Sequence, residues 1–465
     1  MAVPFLNPVH VRARRFLLLC VSLLILFSCQ ASAIAATTSK PNFLILFLDN
    51  VGYGDIGCYG NRENKTPNID ALASEGVRCT DFYIGSPSCS PSRGALLTGR
   101  HPERTGLNFQ LNAKQNTNGI GLPLSERLLP QYLKPLGYAT AAFGKWNIGF
   151  ATGARPTERG FDEFLGHASG NIHYYKHLYA GQNDMRRGAE PVDLRGQYAT
   201  DIFADAAVDF IRRKQSEPWL VYLPFNAAHF VSSGNVEPGE KIEWQVPAKY
   251  LALYGSPPDE PDQQKRFRAV MTALDDAIGR VLRTLDELKL RENTFVLLIS
   301  DNGAFMREGR GLEVQSNAPL RDGGVTTYEG GVRVPAIFRW PGKLTPRASR
   351  EMLSSLDVLP TLVRAAGGKL PKDRLFDGVD MLPTLTGRKS SPHEALAWIW
   401  IQKPDNWQAM RKGDWKIVRR SEAEPWELYD LSRDVSESKN LAAEKMRTAK
   451  KLSIQFHRWH KEVRQ

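Results

Sequence analysis

The sequence predicts an α/β fold: a mainly parallel sheet sandwiched by helices, plus a small C-terminal antiparallel sheet with one helix. Short continuous apolar runs, of the kind that form strands buried on both faces, recur through most of the chain. Amphipathic helical patterns lie between them, and strand–helix–strand alternation builds a parallel sheet covered on both sides. After residues 382–387 (LPTLTG) the alternation stops, and short strand-like segments separated by polar turns take over.

Residues 42–48 (NFLILFL) form the first of these runs. Residues 138–143, 219–225 and 295–299 repeat its character. The clearest helix carries Phe267, Val270, Met271, Leu274, Ile278, Val281, Leu282, Leu285 and Leu288, spaced at threes and fours, and residues 201–213 give another. Residues 398–401, 415–418 and 427–431 read as the C-terminal strands, with a last helix over 445–459. A chain of 465 residues accommodates one large α/β domain, 40–387, and a smaller α+β subdomain, 388–465. Residues 232–261, rich in Pro and Gly, read as a surface loop.

The N-terminus has the layout of a secretory signal peptide over residues 1–33. A basic stretch ending at Arg15 precedes an apolar run (16–27) too short for an ordinary membrane span. Ala31, Ser32 and Ala33, then Ala35 and Ala36, follow, with cleavage after Ala33 or Ala35. The protein is therefore expected to be exported, periplasmic or secreted, without stable membrane insertion. Residues 26–29, ending in Cys29, partly resemble a lipoprotein cleavage box, but Phe27 fits that pattern poorly. Beyond Cys20 and Cys29, three cysteines remain: Cys58, Cys79 and Cys89. That is no disulfide framework, and the odd count suggests a separate fate for one of them. The formal charge is +11; without Arg12, Arg14 and Arg15 it is +8. This excess suits an anionic substrate or simple solubility, and no clustered basic run points to a nucleic-acid partner.

Each main strand runs at once into polar residues: Asp49 and Asn50, Lys145, His229, Asp301 and Asn302. Ligands of open α/β sheets bind outside the carboxyl ends of the strands. Either Asp-Asn pair alone reads as turn chemistry. Two matching pairs after matching strands offer hard oxygen ligands, which suit Ca²⁺ or Mg²⁺ rather than zinc. Around Cys89, Ser90 is a good N-cap, Pro91 suits the first helical position and Gly99 the end. Cys89 then sits at a helix N-terminus, and Arg93, one turn in, can fork onto a tetrahedral oxyanion. Taken alone, a structural cysteine beside a capped helix accounts for the same residues. Residues 52–57 (GYGDIG) match a dinucleotide fingerprint literally, but polar loop follows instead of a helix. His167, His173 and His177 read as surface histidines.

Residues 89–93 (CSPSR) followed by 97–100 (LTGR) resemble the sulfatase signature. The resemblance runs from about Lys40 to the C-terminus through residues 49–55 (DNVGYGD), 144–149 (GKWNIG), 300–303 (SDNG), 326–333 (TTYEGGVR) and 427–431 (ELYDL). It implies an alkaline-phosphatase-like fold, one bound Ca²⁺, and oxidation of Cys89 to 3-oxoalanine (formylglycine) by a formylglycine-generating enzyme. It implies Asp49, Asn50, Asp301, Asn302 and the modified Cys89 as metal ligands. Arg93 and Lys145 would hold the hydrated aldehyde and the sulfate, and His229 would help protonate the leaving oxygen. The substrate would be a sulfate monoester of a sugar or aryl alcohol, in a small molecule or glycan.

Three positions depart from the family pattern. Asn50 stands for a second Asp, Asn147 for a His, and Gly324 for a sulfate-binding Lys, with Arg321 nearby as a possible substitute. These departures leave two rival readings open: a phosphate or phosphonate monoester hydrolase on the same scaffold, and a catalytically weak protein that binds sulfated glycans.

Overall fold

One large sheet and the helix packed against it through Leu96 and Leu97 position the candidate site residues. The computed structural model describes Met1 and residues 40–236, 239–240, 244–306, 314–402 and 405–464. The expected signal peptide, with Cys20 and Cys29, lies outside the described residues. At the sheet's centre are β1 (Asn42–Leu48), β2 (Ala139–Lys145), β3 (Trp219–Pro224) and β4 (Thr294–Ser300). The order across the sheet is Arg347–Ser349, Val77–Cys79, Ala336–Arg339, β4, β1, β3, β2, Glu163–His167, Met185–Arg187 and Glu190–Pro191. β4, β1, β3, β2 and Glu163–His167 run parallel, and antiparallel pairings appear only towards the two ends.

The apolar run of β1 has no alternation because both of its faces are covered. Leu44, Leu46 and Leu48 enter one hydrophobic layer, and Phe43, Ile45 and Phe47 enter the other. Full burial of such side chains stabilises the fold by ~1.5–3 kcal/mol each. Helix α1 (Cys89–Thr98) covers the second layer through Leu96 and Leu97. Helices α2 (Ala199–Arg213) and α3 (Gln263–Glu287) cover the first, through Phe203 and Phe210 and through Phe267, Met271 and Leu274. Asp262 caps α3 by accepting from the backbone N–H of Gln264 and Lys265.

The C-terminal region is an antiparallel meander of Ala395–Gln402, Asp405–Lys412, Trp415–Arg419 and Glu427–Asp430, closed by helix α4 (Met446–Val463). Asp405–Lys412 was not predicted, because Asn406, Gln408 and Arg411 break up its apolar alternation. It is nonetheless covered on both faces: Trp407 and Ala409 pack with Tyr83, Val325 and Tyr328, and Met410 packs with Phe456 of α4. The stretch 232–261 departs from a surface loop. Trp244, Val246, Tyr250 and Leu251 are buried, Ala248–Ala252 is helical, and the Trp244 indole N–H donates to the Ala228 carbonyl at 3.2 Å. Among the described residues no helix is long and apolar enough to cross a membrane.

Candidate active site

The carboxyl ends of β1, β2 and β4 bring Asp49, Asn50, Lys145, Asp301 and Asn302 together, all fully buried. Asn50 takes a left-handed conformation (φ +56°), and its N–H donates to Asp301 Oδ1 at 3.1 Å. The two Asp-Asn pairs are thereby locked to each other. His229 reaches the group through a backbone exchange in which Asp49 N–H donates to Ala227 O (3.0 Å) and Ala228 N–H donates to Asp49 O (2.9 Å).

Cys89 is the first residue of α1, so Ser88, not Ser90, is the N-cap. The helix tolerates Pro91 inside its first turn because those N–H groups have no intrahelical acceptor. Gln110, which the sequence did not single out, performs the capping: its Oε1 accepts from Ser88 Oγ (2.8 Å) and from Ser90 N–H (3.1 Å). Gly99 ends the helix in the left-handed region, as expected (φ +66°).

The Cys89 Sγ lies 3.6 Å from Asp49 Oδ1 and 3.7 Å from Asn50 Oδ1. One Asp49 oxygen, this sulfur and a His229 ring nitrogen all lie within 4.8 Å of one another. Arg93 donates to Asp301 Oδ2 at 2.6 Å and to the Lys145 carbonyl at 3.0 Å, and Lys145 Nζ donates to Asp49 Oδ2 at 2.7 Å. Two carboxylates and two cations thus balance in a site closed to bulk water. Burial, then the charge of Asp49, raises the Asp301 carboxyl above its ordinary value. Burial, then Asp301, pushes the Cys89 thiol well up, so the helix N-terminus does not make it a thiolate. Burial, then Lys145, holds His229 down at about 3. Its Nδ1–H donates to the Phe230 carbonyl at 2.6 Å, which leaves Nε2 carrying the lone pair.

The oxygen set fits a hard divalent cation. Asn302 Oδ1 is buried without a partner among the described residues, while Asn302 Nδ2 donates to Asn50 Oδ1 at 2.7 Å. An unsatisfied buried acceptor beside two carboxylates is what a cation would complete. Gln315, also missed, donates to the Asn50 carbonyl at 2.6 Å and holds this corner.

The three departures have distinct surroundings. Asn147 is fully buried, and both of its amide atoms lack a partner among the described residues. A Cβ on Gly324 would meet the Gly303 carbonyl oxygen at 3.0 Å and Phe305 Cδ2 at 3.1 Å, so a lysine there has little room. Arg321 does not replace it: its guanidinium donates to the Tyr429 hydroxyl (2.9 Å) and the Glu437 carbonyl (2.8 Å), against the C-terminal sheet. Instead Phe230 lies tilted beside His229 (ring centroids 4.6 Å) and meets Phe305 edge-on (6.1 Å), an aromatic wall the sequence did not reveal.

The histidines read as surface residues are buried. His173 Nε2 faces Glu240 at 3.1 Å and His177 Nε2 donates to the Gln197 carbonyl at 3.1 Å, while His167 stacks on Phe203. After β1 come two short 3-10 turns and then loop, so no helix follows the GYGDIG stretch directly. Among the described residues Cys58, Cys79 and Cys89 are free thiols.

The Sulfatase family model matches residues 41–368, and the model "N-sulphoglucosamine sulphohydrolase, C-terminal" matches residues 325–464. The chain is 32% identical to the N-acetylgalactosamine-6-sulfatase of Canis lupus familiaris, over 94% of this chain and 83% of that one. It is 32% identical to the arylsulfatase A of Homo sapiens, over 87% and 84%. A crystal structure of Ps i-CgsB in complex with k-i-k-neocarrahexaose superimposes with a TM-score of 0.80 at 27% identity, covering 91% of this chain and 93% of the other. The chain belongs to the sulfatase family. Its chemistry is sulfuric ester hydrolysis on the sulfatase α/β fold.

Proposed function

We propose that Cys89, carried as formylglycine, is the nucleophile for hydrolysis of a sulfate monoester of a ring alcohol, a sugar or an aryl group, beside one calcium ion. The observation that carries this reading is the position of Cys89 Sγ, 3.6 Å from Asp49 and 3.7 Å from Asn50, at the head of α1. An unmodified thiol held protonated there is a poor nucleophile. The hydrated aldehyde supplies two hydroxyls, one to attack sulfur and one to expel sulfate. Formation of the aldehyde requires a formylglycine-generating enzyme in the host, and export follows from the signal-peptide reading.

Asp49, Asn50, Asp301 and Asn302, with the modified Cys89, are the residues that would hold the metal, which supplies positive charge to the sulfate oxygens. Asn50 contributes an amide oxygen where a carboxylate would add charge, which weakens the site. Arg93 and Lys145 offset the remaining negative charge on the transferring group. His229 is neutral in the free site, and a bound sulfate ester beside it favours its protonated form. Its role in protonating the leaving oxygen is therefore coupled to substrate binding. Asn147 supplies an uncharged amide with free hydrogen-bonding capacity, and no ionisable group, at its position.

The aromatic wall favours a leaving alcohol that presents an apolar ring face. Phe230→Ala and Phe305→Ala are expected to raise KM for a ring-bearing sulfate ester by roughly tenfold with little change in kcat, since the lost contact is uniform binding. Unchanged KM in both variants would remove the wall from the substrate site. The nucleophile is tested by rates on matched aryl sulfate and aryl phosphate. Turnover of the sulfate, abolished in Cys89→Ala, is the expected result, and full activity of that variant would overturn the assignment.

A further inference from the structure

The edge of the large sheet carries a cleft of about 330 Å³ whose lining includes Arg347, Arg350, Arg388 and Lys389. Glu351 is the one acidic residue in that lining, and its carboxylate already accepts from the Ser391 N–H. Arg347 donates to the Thr384 carbonyl at 2.8 Å, and none of the four cations has an ion-pair partner among the described residues. This is unlike a second arginine-lined cleft, where Arg100 and Arg374 pair with Glu126, and Arg104 with Asp377. Four cations against one acid, in a concave surface, attract an anion.

Strand register places this cleft near the reaction. Ser349 is level with Cys79, Cys79 with Ala336, and Ala336 with Ile299, two residues before Asp301. Arg350 therefore leaves the sheet at the same carboxyl end as Asp301, three strands away, or about 14 Å at the usual strand spacing. A short oligosaccharide spans such a distance. No aromatic side chain lines the cleft, so it lacks a stacking platform for nucleic-acid bases, and no large apolar side chain is present to enter a membrane.

We infer that the cleft of Arg347, Arg350, Arg388 and Lys389 is a second anion-binding site, which captures a further sulfated stretch of a polysulfated glycan. The identity of the anion rests on the sulfate-ester reading above. The anion site itself rests on the cleft and its unpaired charge.

The test uses the full chain with Cys89→Ala, so that turnover does not consume the probe. Dextran sulfate is the probe, uncharged dextran the control, and binding is measured at low and high salt. Arg350→Ala with Lys389→Ala should weaken dextran sulfate binding roughly fivefold to tenfold, given what two exposed cations contribute. Arg447→Ala with Lys450→Ala, which removes the same charge from α4, should leave it unchanged. Equal weakening by both pairs, or by neither, would overturn the site, as would equal capture of a single-stranded oligonucleotide of matched charge. Rates of the active enzyme on a small aryl sulfate should not respond to the cleft variants. Failure of that turnover in the parent enzyme would count against the proposed function and leave the binding result standing.

Discussion

Lys145 Nζ sits 2.7 Å from Asp49 Oδ2, and neither side chain is exposed. β1 supplies the carboxylate and β2 the ammonium, with β3 between them in the sheet. Arg93 adds a second, looser contact to Asp49 at 3.9 Å. Because two carboxylates face two cations, a divalent metal and an anionic ester can enter together without leaving a large net charge buried.

Lys145→Met should break this balance. Removing one partner of a buried pair costs ~3–5 kcal/mol, less here because Arg93 remains close to Asp49. Loss of the cation from the sulfate should lower kcat/KM by ~10²–10³. Thermal unfolding and initial rates check both. The double variant Asp49→Asn/Lys145→Met should unfold at a higher temperature than Lys145→Met alone, since it removes the orphaned charge.

Calcium removal should act on stability as well as rate. A ligand bound only by the folded state stabilises it by ~2.7 kcal/mol at a hundredfold excess over its Kd. Chelation should therefore lower Tm and abolish turnover, and added Ca²⁺ should restore both. Asp301→Asn should need more Ca²⁺ for the same rise in Tm. A Tm indifferent to chelator would remove the metal from the account.

The pair His393–Asp357 gives a pH prediction away from the site. Burial alone would lower the His393 pKa, but the Asp357 charge and two contacts of 2.8 and 2.9 Å outweigh it and raise it above 6.5. A raised folded pKa means the contribution is complete below about 6.5 and fades as pH climbs through the folded value. His393→Gln should cost ~1.5–3 kcal/mol at pH 5–6, the range for a hydrogen bond to a charged group, and progressively less at alkaline pH. Unfolding curves of both proteins across that range decide it.

Gly324 sets the limit on restoring the family lysine. With backbone oxygen at 3.0 Å and the Phe305 ring at 3.1 Å, Gly324→Lys should cost ~1–3 kcal/mol through overpacking. Adding Phe305→Ala should recover part of that loss, a non-additivity that a double-mutant cycle by denaturant unfolding will show.

The sheet was legible because β1 to β4 carry continuous apolar runs, and the polar residues at their ends marked the site. The Asp-Asn pairs, Lys145 and Cys89 converge as their strand-end and helix-start positions implied. Other features escaped. Asp405–Lys412 is covered on both sides yet carries Asn406, Gln408 and Arg411, so its period is masked. The N-cap moved to Ser88 because the capping oxygen comes from Gln110, some twenty residues away, and no local pattern encodes it. His167, His173 and His177 are buried by tertiary packing that their polar neighbours in sequence conceal. Arg321 was near Gly324 in sequence but is drawn to Tyr429 and Glu437, contacts fixed only by the fold.

The most direct test is the mass of the tryptic peptide 79–93 from protein purified out of its native host. Conversion of Cys89 to the aldehyde replaces the thiol carbon's sulfur and two hydrogens with one oxygen, and the account predicts that lighter peptide, unreactive to thiol alkylation at this position. An intact, alkylatable Cys89 in a host whose modifying enzyme is active would contradict it, because the nucleophile would be missing.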